Sequence, residues 1–163
     1  MLNPTPQTIF LRDYRPPAYR VVTVALDVDI RAEETVVGAV LDIERGDGVG
    51  ADEPLRLHGD GLELLEVALD GQALGTDAYS LDSEFLHVPR VPAKFQLRTR
   101  VRIHPDQNTQ LMGLYASRDG YFTQCEAEGF RRITFFVDRP DVMARYTTTI
   151  HADKTRFPLL LSN

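Results

Sequence analysis

The sequence predicts an all-β fold, two sheets of about ten short strands packed face to face, with one short helical segment near residues 130–145. Three observations carry this. Apolar and polar residues alternate with the period of a strand over several stretches. β-Branched residues crowd those same stretches. Gly, Pro and Asp recur between them at the spacing of turns in a sandwich. With 163 residues, 43% of them hydrophobic, the chain is long enough for one ordinary domain with a real core. Residues 1–163 are therefore read as a single β domain.

After a proline-rich arm, "YRVVTVALDVDI" (Tyr19 to Ile30) alternates from Val22 on, the pattern of a strand with one wet face. "TVVGAVLDIER" (Thr35 to Arg45) follows across "RAEE", a link short enough for an antiparallel hairpin. "GDGVGADEP" is a surface loop. "LRLH", "LELLEVAL", a turn at Asp70 and Gly71, "YSL" and "EFLHVP" read as successive strands. In "FQLRTRVRI", Phe95, Leu97, Thr99, Val101 and Ile103 face a core, and Gln96, Arg98, Arg100 and Arg102 face water. The three arginines read as a solvated surface rather than an anion site. "GLYASRDGYFTQCEAEGF" is a further hairpin, with Ser117, Arg118, Asp119 and Gly120 at its tip. "RRITFFVDRPDVMARY" is too densely apolar for alternation and Pro140 breaks it, so a short helical turn is expected on each side of Asp138, Arg139 and Pro140. "YTTTIHAD" returns to strand and "KTR" turns. "FPLLLSN" reads as an apolar strand at which the chain stops, the ending expected of a piece of a longer protein.

Twenty-four acidic against eighteen basic residues give a net charge of -6. That charge repels a phosphate backbone and an anionic membrane surface, so neither nucleic acid nor membrane is expected as a partner. No stretch approaches the roughly 18 apolar residues of a membrane span. The N-terminus has prolines and an arginine where a secretory signal needs an unbroken apolar stretch. Cys125, the single cysteine, forms neither an internal disulfide nor a structural zinc site by itself. A cytoplasmic protein is expected.

The four histidines, His58, His87, His104 and His151, lie in separate segments without a ligand spacing such as HExxH, and read as surface or partly buried strand residues. GxSxG, the P-loop and GxGxxG are absent. Cys125 reads as a buried strand thiol facing away from Gln124 and Glu126; a nucleophilic role would require a histidine base brought to it by the fold. The stretch that stands out is "FTQCEAEGFRR", Phe122 to Arg132. In extended backbone Gln124, Glu126 and Glu128 share one face, with the two carboxylates about 6.5 to 7 Å apart. Such a pair suits a glycosidase acid and nucleophile, a cation-binding carboxylate beside an amide, or an edge strand of solvated acids. The residues alone leave these three open.

"LMGLYASRDGYFTQCEAEGFRRITFFVDRPDVMARYTTTIHADKTRFPLLLSN" strongly resembles the N-terminal domain of aminopeptidase N, the bacterial-type zinc-dependent alanyl aminopeptidases, and the likeness extends upstream to "FLRDYRPPAYRVVTVALDVDI". The resemblance implies a saddle-like β-sandwich docked on a thermolysin-like catalytic domain of the same polypeptide. It implies that Glu126 binds the free α-amino group of a peptide substrate and that Gln124 helps line the pocket for the first side chain. A fixed anion that pairs with the terminal ammonium sets such an enzyme to count from the chain end. Glu128 and Cys125 receive no role from the resemblance; Glu128 reads as a structural or supporting group.

The family's zinc motif HExxH and its loop GAMEN are absent from this sequence and belong to a catalytic domain expected after Asn163. The chain alone is expected to carry no metal, no catalytic residue and no activity, with Zn2+ held by the catalytic domain. The alternative reading is a free-standing, non-catalytic β-sandwich module that binds peptide or carbohydrate.

Overall fold

The structure, a computed structural model, describes Thr8, residues 10–118 and residues 120–162. Eleven strands form among these residues: β1 (Tyr19–Ile30), β2 (Thr35–Arg45), β3 (Leu55–His58), β4 (Glu63–Leu69), β5 (Gln72–Ala73), β6 (Ser80–Leu81), β7 (Phe85–Val88), β8 (Lys94–Ile103), β9 (Gly113–Ser117), β10 (Gly120–Gln124) and β11 (Arg145–Ala152). Six of them make one sheet in the order β11-β1-β2-β8-β4-β5. A second sheet runs β3-β7-β6, and β9 pairs with β10 in a separate hairpin.

The large sheet follows from its sequence pattern. β8 buries Phe95, Leu97, Thr99, Val101 and Ile103, and β2 presents Val37, Ala39, Leu41 and Ile43 beside them through the pairings Val37 with Val101 and Leu41 with Leu97. Leu55 and Leu57 of β3 and Leu86 and Val88 of β7 join the same buried cluster, which makes the small sheet the second layer of a sandwich-like core. The outer face of β8 is wet, and two of its three arginines pair with acids of neighbouring segments. Arg98 meets Glu66 of β4, and Arg102 meets Glu63 of β4 and Glu34 of the β1–β2 turn. Thr99, fully buried, would lack a hydroxyl partner within its own sheet. Thr134 from the irregular segment supplies one, with the two Oγ1 atoms 3.3 Å apart.

Two features depart from the sequence expectation, and two others lie outside what it addressed. The alternation of β1 from Val22 on is kept, and a bulge precedes it: pairing with β2 shifts register between Val21 and Thr23. Tyr19 and Val21 are buried before that bulge and Val24, Leu26 and Val28 after it, since one extra residue swaps the faces. β11 lies parallel to β1 at the sheet edge, with Thr23 opposite Arg145 and Ile30 opposite Ala152; a period-2 pattern carries no information about strand direction. Around Pro140, only the upstream side is helical, a 3-10 turn over Phe130–Arg132. Downstream there is a single hydrogen-bonded turn, Val142 N to Arg139 O at 3.1 Å. Finally, "FPLLLSN" is not a strand. Residues 157–162 have no strand partner and Leu159 and Leu161 are 70% and 78% exposed, so apolar composition there has no sheet edge to join; Asn163 lies outside the described residues. The hairpin tip sits at Ser117, Arg118 and Gly120 as expected, and Asp119 lies outside the described residues.

Between the two sheets runs the segment 133–138, whose Ile133, Phe135, Phe136 and Val137 are all buried. It is joined to the small sheet by a bridge between His58 and Phe136, in which His58 N donates to Phe136 O (2.7 Å) and Phe136 N to His58 O (3.1 Å). His58 Nδ1 lies 3.2 Å from the Asp138 N–H, which donates to it, and 3.3 Å from the Phe136 carbonyl. Burial, then the Arg131 charge, push the His58 pKa below its ordinary value. A histidine whose folded pKa is depressed adds stability that is complete above its unfolded pKa, about 6.5, and is lost as pH falls through the lower folded value. The thermal midpoint is therefore expected to fall as pH drops below about 6.5. His58→Gln is expected to flatten that part of the profile; an unchanged slope in scanning calorimetry would remove His58 as the titrating group.

Candidate functional site

β10 ends at Gln124 because the chain there leaves its partner β9, whose Gly113 is the last residue opposite. The next five residues form a tight turn closed by Gly129 N donating to Cys125 O (2.9 Å). The peptide Glu126–Ala127 is cis, and Glu128 has φ 66°, the left-handed region. The same-face arrangement of Gln124, Glu126 and Glu128 is thus not realised. Alternation requires extended backbone, and the pattern runs past the end of the strand. Gln124 instead folds over the turn and donates from Nε2 to Glu126 O (3.1 Å).

The two glutamates differ in their surroundings. Glu128 Oε2 lies 3.2 Å from Nη2 of Arg131, three residues onward. The Glu126 side chain is exposed and its carboxylate makes no hydrogen bond or ion pair with any described residue. Cys125, expected as a buried strand thiol, is half-buried at the start of the turn. Burial, then the Asp138 charge, raise its pKa, which keeps the sulfur protonated and makes it a poor nucleophile.

The turn is mounted on a rigid base. Phe130 stands edge-on to Phe136, ring centres 5.0 Å apart, and edge-on to Tyr146 of β11 at 5.6 Å. Arg132 Nη1 donates to Asp60 and to Gln110 Oε1 (3.1 Å). Asn108 Nδ2 donates to the carbonyls of Met112 (2.7 Å) and Leu114 (2.9 Å), which fixes the start of the hairpin. Gly129 is buried, and a Cβ on it would lie 2.7 Å from Gln124 O and 2.9 Å from Cys125 Cα. Only a residue without a side chain lets the turn close.

Below it lies Asp138, the one buried charged residue among the described residues. Its Oδ2 accepts from Arg131 N (3.0 Å) and Arg131 Nε (2.9 Å), and Arg131 Nη2 donates to Asp138 O (2.7 Å). Sequence reading passes over this pair. The spacing of Glu128 and Arg131 hints at a local contact, but the return of Asp138 to Arg131 depends on the core position of Phe135 and Phe136 between them. No group of three or more His, Cys, Asp or Glu among the described residues could hold a metal ion. No helix among them is long and apolar enough to cross a membrane.

Residues 16–163 match the family described as Peptidase M1 N-terminal domain. The chain is 46% identical over its full length to Aminopeptidase N of Caulobacter vibrioides, and 44% identical over 97% of its length to Aminopeptidase N of Escherichia coli. It spans 18% of the length of each of these relatives. Among solved structures, Legionella pneumophila aminopeptidase A in complex with aspartic acid superposes with a TM-score of 0.87 at 30% identity, over 94% of this chain and 18% of that one. An M1 zinc metallopeptidase from Deinococcus radiodurans, at 14% identity, shares the fold with a TM-score of 0.67 over 82% of this chain and 32% of that one. With a family match over nearly the whole length and relatives sharing almost half its residues, this chain belongs to the Peptidase M1 N-terminal domain family.

Proposed function

We propose that this domain forms the amine-binding side of the active site in a zinc aminopeptidase, a cytoplasmic enzyme that removes N-terminal residues from peptides. Glu126 binds the substrate's α-ammonium, and Gln124 lines the pocket for the first side chain. The catalytic domain follows in the same polypeptide and holds the zinc.

The observation that carries this reading is the difference between the two acids of the turn. Glu128 is engaged by Arg131, whereas the Glu126 carboxylate projects from a rigid turn with no partner among the described residues. A fixed, uncommitted carboxylate is what recognition of a terminal ammonium needs, since free α-amines have pKa values of about 7.7 to 8.0 and are mostly charged at neutral pH. The curated relatives carry the name Aminopeptidase N and the domain accounts for 18% of their length, which agrees with a catalytic part elsewhere in the polypeptide.

The test uses the full-length polypeptide and matched peptides with free or N-acetylated termini. The free-amine peptide is expected to lose its first residue and the acetylated one to resist; equal cleavage of both would sink the amine anchor. The 163-residue chain by itself is expected to retain no stoichiometric zinc after dialysis and to leave an alanine-type chromogenic substrate intact. About one tightly held zinc per chain would contradict the reading, because a structural site needs four good ligands.

A further inference from the structure

We propose that Arg131 is a positioning residue for the amine-binding turn: anchored on buried Asp138, it holds Glu128 aside and leaves Glu126 as the free acid. The inference rests on the amine-anchor reading above. Its basis is a chain of contacts graded by burial. The Asp138 side chain is 10% exposed, that of Arg131 23% and that of Glu128 51%. Asp138 is itself fixed, through its backbone N–H to His58 Nδ1. The planar guanidinium then reaches three acceptors: the Asp138 carboxylate through Nε, the Asp138 carbonyl through Nη2, and Glu128 Oε2 beside the same Nη2. A lysine ammonium is a single point and does not span that set.

Two effects follow for Glu126. The Glu128 tether fixes the second half of the turn, as the Gln124 bond to Glu126 O fixes the first. The carboxylate is thus presented without reorganisation when the amine arrives. Arg131 also offsets the like charge of Glu128, two residues from Glu126, so the ammonium meets one acid rather than being drawn between two.

The experiment reads amine preference in the full-length polypeptide, as competitive inhibition by alaninamide relative to propanamide, which lacks the amine. Arg131→Met is expected to lower that preference by about tenfold, the scale of a binding group displaced by a fraction of an ångström to an ångström. Arg131→Lys should recover part of it. Glu128→Gln, an exposed change that spares the buried pair, should lower it by about threefold, since it removes one tether and one repelling charge together. On a Glu126→Gln background, Arg131→Met should produce no further change in preference. Equal weakening of both inhibitors by Arg131→Met and no effect of Glu128→Gln would reduce Arg131 to a structural role and overturn the inference, with the anchor reading intact. An unchanged preference in Glu126→Gln alone would remove the anchor reading and this inference with it.

Discussion

Replacing Glu126 with Gln in the full-length polypeptide is expected to lower kcat/KM for free-amine peptides by about tenfold or more. The substitution keeps the shape of the side chain and deletes the charge. A charge-assisted hydrogen bond in a water-poor site is worth roughly 1.5 to 3 kcal/mol, and about 1.4 kcal/mol corresponds to a factor of ten. The carboxylate is free of internal partners among the described residues, so its loss falls on the substrate and leaves the fold of the domain intact. Glu128→Gln is expected to do much less, because its carboxylate is already spent on Arg131. Steady-state kinetics on both variants decide the matter. Normal kcat/KM in the Glu126 variant with a large loss in the Glu128 variant would exchange the two roles.

The second large effect concerns stability. Phe135 is 1% exposed and fills the space between the sheets, and its removal as Phe135→Ala is expected to destabilise the domain by about 3 to 5 kcal/mol. Its ring is also the reason that residue 59 has no side chain. A Cβ on Gly59 would lie 2.3 Å from Phe135 Cε1 and 2.6 Å from Cδ1. Gly59→Ala overpacks this contact and is expected to cost about 1 to 3 kcal/mol. The double variant Gly59→Ala with Phe135→Leu should be more stable than the sum of the single losses, since the smaller side chain makes room for the new methyl. Urea unfolding of the 163-residue chain checks both values; strict additivity of the pair would mean that the clash is relieved elsewhere.

The strands that build the large sheet are legible in the sequence because each has a buried and a wet face. β8 follows its alternation from end to end and β2 from Val37 to Ile43, and the arginine row of β8 faces out as its parity requires. The turn that carries Glu126 is not legible in the same way. Gln124, Glu126 and Glu128 alternate like a strand, but the determinants of the turn are the closed space at Gly129 and the support from Phe130 and Arg131, all tertiary. Glu126 and Gln124 stand out in the sequence through their resemblance to a family motif, and composition alone leaves them one pair of acids among several. The failure at "FPLLL" has a related cause. Leucines report a need for burial without saying whether the chain itself meets it, and the described residues leave Leu159 to Leu161 exposed.

The parallel pairing of β11 with β1 governs the order in which this molecule assembles during synthesis. β1 meets β2 on one edge as soon as both leave the ribosome, but its other edge stays open until residues 145–152 emerge, at the far end of the domain. Non-local closure of this kind is slow, and an open strand edge templates association with other nascent chains. Tyr146, which supports Phe130 beneath the Glu126 turn, arrives on that same last strand. The binding turn thus receives its final support in the same step that seals the sheet, and a chain interrupted before Arg145 has neither.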